Sequence, residues 1–124
     1  MTATEARILE FRMQGSASEP YEVRFTRAAD ASRASCTCEA GAHHQLCKHR
    51  TMLLAGDVTA LVSGNAQQVA ELLPMIAGSD AEAAIAHLAT AENALEVAKH
   101  ELSRHRKALA RILNHRLPDG EPSP

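Results

Sequence analysis

The chain has 124 residues, a formal net charge of −2 and an isoelectric point of about 6.4. That length suits one domain, or one small domain with an extension. The near-neutral charge argues against attachment to nucleic acid by bulk electrostatics, so any such contact has to come from a local basic patch. Phe11, Tyr21 and Phe25 are the only aromatic residues, and a small module with so few large side chains seldom buries enough apolar surface to fold unaided.

Residues 1–6 read as a frayed terminus. Residues 1–11 carry charges and no apolar run of the kind an export signal needs, and no later stretch approaches a membrane span. Clustered thiols without an export signal fit a reducing, cytoplasmic setting. From Arg7 to Gln14, Leu9, Phe11 and Met13 recur two apart, which is strand periodicity with one face buried. Gly15 to Pro20 is a turn-rich connector. Tyr21, Val23 and Phe25 then alternate with Glu22 and Arg24, marking a second strand that pairs with the first as a hairpin. Ala28 to Ser35 is small and polar, a loop leading into a short third strand that presents Cys36 and Cys38.

All three cysteines lie in one stretch: Cys36-Thr37-Cys38, a connector, then Cys47-Lys48-His49. Thiolate and imidazole are ligands that Zn²⁺ prefers, and four of them close a tetrahedral structural site. One intervening residue lets Cys36 and Cys38 face one ion, and Cys47 and His49 repeat that spacing. The expected site is Cys36, Cys38, Cys47 and His49 around one structural Zn²⁺. His43 or His44 could replace His49, and His44 stands three residues before Cys47. Competing uses of the thiols are weaker. A Cys36–Cys38 disulfide would close a very tight ring and leave Cys47 over. An iron–sulfur cluster usually wants four thiolates, and inert buried thiols rarely cluster in polar sequence.

The C-x-C…C-x-H order, carried by Cys36, Cys38, Cys47 and His49, resembles the SWIM zinc finger. A strand-like run precedes the ligands, Leu46 sits just before Cys47, and the apolar residues Met52, Leu53 and Leu54 follow. The resemblance covers residues 6–62 and implies a ββα-like zinc module. It also implies contact with nucleic acid or with other proteins, often beside a larger catalytic domain.

Glu39 to Ala42 reads as the bend between the ligand pairs, and Cys47 to Ala55 as a helix stopped by Gly56. Asp57 could cap a short helix through Val62, and Asn65 a further one from Ala66 to Leu73, with Pro74 disturbing its end. Ser79 and Glu82 form a capping-box signal. From there to Leu117 there is no Gly or Pro, so a helix from Asp80 to Arg116 would run on the order of 55 Å. Leu88, Leu95, Leu102 and Leu109 recur every seven residues, with Ala91, Ala98, His105 and Ile112 three further on, an a/d heptad seam. Asp80, Glu82, Glu92 and Glu96 occupy its first half; Lys99, Arg104, Arg106, Lys107, Arg111 and Arg116 occupy its second. That order favours an antiparallel homodimer or partner helix, while packing of the seam on residues 66–76 is the competing arrangement.

The expected class is α+β. A hairpin-based zinc module spans residues 1–63, a helical region ending in the long heptad helix spans 64–117, and a disordered tail spans 118–124. Four protein ligands saturate zinc, and there is no phosphate-cradling glycine loop or nucleophile elbow, so a non-enzymatic role is expected. Arg33, Lys48 and Arg50 flank the metal residues and are the candidate phosphate contacts for DNA or RNA. A protein partner, with assembly through the long helix, is the alternative.

Overall fold

The computed structural model describes residues 6–118; residues 1–5 and most of the expected tail, 119–124, lie outside them. The architecture is α+β. Three strands, β1 (Arg7–Met13), β2 (Tyr21–Ala28) and β3 (Ala31–Cys36), form an antiparallel sheet in the order β1-β2-β3. Two short helices follow, α1 (Glu39–Ala42) and α2 (Lys48–Leu54). Next come α3 (Ala66–Val69), α4 (Leu72–Ile76) and α5 (Asp80–Leu113). By contacts the chain divides after Ile85, so α3 and α4 belong to the same unit as the sheet.

The alternation in β1 and β2 buries one face. Leu9, Phe11 and Met13 are buried while Ile8 is exposed, and Val23 and Phe25 are buried on β2. Leu9 stands opposite Phe25 and Phe11 opposite Val23, so Phe11 and Phe25 are diagonal neighbours that meet edge to face at 6.2 Å. The core extends from this face to Leu53 of α2, Val69 of α3, and Leu72 and Met75 of α4, and it includes all three cysteines. The C-terminal end of the free edge of β1 is covered by residues 60–62. Gln14 N donates to Ala60 O (2.8 Å), and Val62 N donates to Arg12 O (2.9 Å).

Several local expectations give way to tertiary contacts. Gly56 does stop α2: with φ +79° it accepts the left-handed position, its N–H donates to Leu53 O, and Asp57 N donates to Met52 O, a Schellman closure. Asp57 then caps no helix. Its carboxylate accepts from Thr59 N and Oγ1 in a tight turn, which leads into the segment that pairs with β1. Asn65 Nδ2 donates to Glu10 O and Gln68 Oε1, tying the loop to β1. Residues 66–76 split into α3 and α4, and Pro74 sits inside the first turn of α4, where a missing N–H costs little. Arg27 of β2 closes that helix, donating from Nη1 to Met75 O (2.9 Å) and Ala77 O (2.7 Å).

The start of α5 is fastened to the β2–β3 turn rather than closed by Ser79. The Ser79 hydroxyl donates to Ile76 O, while Glu82 accepts from Gly78 N. Asp80 N donates to Asp30 O (2.9 Å), and the Asp80 carboxylate accepts from Ser32 N (3.1 Å) and from Arg33 Nη1 (2.8 Å). The Ser32 amide, and next Arg33, hold the Asp80 carboxyl below its ordinary value of 3.8. A lowered folded value stabilises the fold above the unfolded pKa, and that support is lost as pH falls through the folded value. Asp80→Asn is therefore expected to lower stability at neutral pH. The gap to the parent should close as urea midpoints are measured at successively more acid pH below 3.8; a gap of constant size would contradict this linkage.

Candidate metal centre

The sheet, α1 and α2 deliver four donors to one buried point. Cys36 is the last residue of β3. Thr37 then locks the chain back onto β2: its amide donates to Glu22 O (3.1 Å), and its Oγ1 accepts from Glu22 N (2.9 Å). Cys38 is held there as the N-cap of α1, in extended conformation, with Gly41 N donating to its sulfur at 3.4 Å. The expected bend is thus a helical turn capped by a thiol. Cys47 is the N-cap of α2 and His49 lies in the first turn of that helix. One ligand atom from each of Cys36, Cys38, Cys47 and His49 lies within 4.8 Å of the others, and all four residues are buried.

The donor set fits a tetrahedral ion. Bonds of about 2.3 Å to sulfur and about 2.0 Å to nitrogen set ligand atoms about 3.5–3.8 Å apart. Cys36 Sγ and His49 Nδ1 are 3.7 Å apart, so Nδ1 faces the thiols at a coordination spacing. His43 and His44 are exposed in the loop beyond α1 and stand outside the quartet.

The electrostatics point the same way. Burial pushes the Cys36 thiol up to about 12, so this sulfur stays neutral unless a cation draws off its proton. Burial also raises Cys47, but hydrogen bonds from Arg50 and from the neighbouring thiols outweigh it and hold Cys47 below its ordinary value of 9.0. Burial, and then the Lys48 charge, keep His49 below 6.5, in the neutral form that can coordinate. His49 Nε2 is buried with no hydrogen-bond partner among the described residues. Tyr21 lies against this imidazole, ring centroids 4.9 Å apart.

Three residues that support the site are poorly visible in sequence. Gly15 reads as a turn marker, yet a Cβ there would fall 2.4 Å from the Tyr21 ring and 3.1 Å from His49 Nε2. Gly41 reads as part of a bend, yet a Cβ there would fall 2.1 Å from Cys36 O. Arg50, expected to face phosphate, turns inward. Its Nε donates to Cys47 Sγ (3.3 Å), Nη1 donates to Ala34 O (3.0 Å), and Nη2 donates to Gln45 O. Of the other two basic candidates, Arg33 is paired with Asp80, and Lys48 is exposed. Thus the structure does not bring Arg33, Lys48 and Arg50 together as one free basic surface.

Comparison with known proteins returned no match: no family model fits the chain, and no curated protein or solved structure matches it significantly. Among the described residues no helix is long and apolar enough to cross a membrane.

Residues that orient metal ligands typically change affinity about 10–100-fold when lost. Arg50→Gln and Gly41→Ala should therefore each weaken Zn²⁺ binding about 10–100-fold in competition with a chromophoric chelator. Unchanged affinity in both variants would remove these supports from the account.

Proposed function

We propose that the chain is a non-catalytic module, closed by one structural Zn²⁺, that contacts another macromolecule as SWIM-type fingers do. The observation that carries this reading is the buried convergence of Cys36, Cys38, Cys47 and His49. When bound, the ion supplies a tetrahedral tie between two chain segments. Cys36 and Cys38 hold it from the end of the sheet; Cys47 and His49 hold it from the start of α2. Four protein donors leave no position for an activated water, which argues for architecture rather than metal-assisted hydrolysis.

The ligand order shared with SWIM fingers places DNA or RNA first among partners. Lys48, exposed between two ligands, is the contact best placed for a phosphate. A protein partner is the second reading. It is favoured by the inward commitment of Arg50, the ion pair of Arg33, the net charge of −2, and Leu46, which is 63% exposed beside the site.

Fluorescence anisotropy with single- and double-stranded DNA and RNA, across a salt series, separates the two. The nucleic-acid reading expects binding at low salt, with Lys48→Ala weakening it and reducing the salt slope by about 1. No binding by the zinc-loaded parent at low salt would exclude nucleic acid and leave the protein partner.

A further inference from the structure

The seam of α5 stays uncovered. Leu88, Leu95, Leu102 and Leu109 are 42%, 55%, 51% and 56% exposed, and Ala91 and Ala98 between them are exposed too. A helix can stand alone at this length, but one apolar stripe repeated at seven-residue intervals is the signature of a helix that meets another helix. The residues on the stripe also specify what that other helix is.

Large and small side chains alternate strictly along its central part: Leu88, Ala91, Leu95, Ala98, Leu102. In a parallel, in-register pair each layer would contain two copies of one residue. Leucine–leucine layers would alternate with alanine–alanine layers, which demand different helix separations or leave voids. In an antiparallel pair each a-type residue faces a d-type residue. With the two-fold axis between Glu96 and Val97, the midpoint of α5, Leu95 faces Ala98 of the second copy and Leu102 faces Ala91. These central layers then each hold one large and one small side chain at a single separation, while Leu88 faces His105 of the second copy.

Charge selects the same arrangement. Asp80, Glu82, Glu92 and Glu96 precede the midpoint with no Lys or Arg among them. Between the midpoint and the end of the helix, five Lys or Arg residues stand against Glu101 alone. Antiparallel overlap sets each acidic half against a basic half. In this register Glu92 flanks the seam opposite Lys99 of the second copy, and the contact occurs twice. In a parallel pair Glu92 would flank His87, and Lys99 would flank Ala94.

We propose that the exposed seam of α5 is a self-association surface whose occupant is the same helix of a second copy of this chain, antiparallel and centred between Glu96 and Val97. The pairing rests on α5 alone, whatever the metal centre holds, so it stands or falls independently of the zinc reading.

Sedimentation equilibrium of the full, zinc-loaded chain under reducing conditions tests it, with circular dichroism as the control for helix content. The parent is expected to be a dimer that dissociates on dilution. Glu92→Lys and Lys99→Glu should each weaken it by about tenfold, and the two substitutions in one chain should restore most of the loss. Leu95→Gln with Leu102→Gln, which keeps good helix formers, should give a monomer of unchanged helicity. A parent that stays monomeric at its highest soluble concentration would overturn the proposal. So would a dimer that survives the double leucine change. A dimer insensitive to Glu92→Lys, or one not restored in the double charge variant, would overturn the antiparallel register.

Discussion

Three thiols and an imidazole share one buried point, and neutral side chains give them little reason to meet there. Burial above all makes the Cys36 proton hard to remove, and His49 Nε2 is buried with no hydrogen-bond partner among the described residues. Unionised thiols are weak hydrogen-bonding groups, so mutual contact among them contributes little stability. A divalent cation changes the balance, because each donor then forms a strong bond that the unfolded chain cannot assemble. The rest of the N-terminal unit is arranged to make that convergence possible. The sheet carries Cys36 to its end, Thr37 folds the next residue back, and Gly41 lets α1 approach the Cys36 carbonyl. Arg50 braces the opposite wall through Cys47, Ala34 and Gln45.

The apolar core supports this site but is small. Phe11 and Phe25 supply an edge-to-face aromatic pair, and the cysteines themselves complete the cluster around Leu53, Val69, Leu72 and Met75. The candidate metal ligands and the hydrophobic core are therefore the same layer of the structure. Loss of an ion held by these residues would open the core as well as the site, which is how small modules with few large side chains gain cooperative stability from a metal. The long helix follows a different logic. Its stability comes from alanine-rich sequence and from ion pairs such as Lys99–Glu96 and Arg104–Glu101. Its apolar stripe, Leu88, Leu95, Leu102 and Leu109, is exposed.

Patterns governed by nearest neighbours were legible in the sequence. Alternation located β1 and β2, and paired spacing picked the four donors that the fold brings together. Gly56 marked the end of α2, and the uninterrupted run after Asp80 gave α5 to within about three residues at its end. What escaped was decided by residues distant in the chain. Asn65 bonds to Glu10 rather than capping its own helix, and Asp80 answers to Ser32 and Arg33 across the β2–β3 turn. The inward turn of Arg50 depends on where Ala34 and Cys47 lie, which no local pattern encodes. Gly15 and Gly41 matter because of what would collide with a side chain, and only the packed structure reveals that.

A metal ion held by Cys36, Cys38, Cys47 and His49 would tie the end of β3 to the start of α2 and so hold the N-terminal unit together. Metal analysis of the chain purified under reducing conditions, paired with amide exchange before and after chelation, tests it most directly. One Zn²⁺ per chain is expected, with loss of protection across β1, β2 and β3 when the ion is removed, while α5 keeps its helicity. Protein without stoichiometric Zn²⁺ that takes up none on titration, yet protects all three strands, would contradict it.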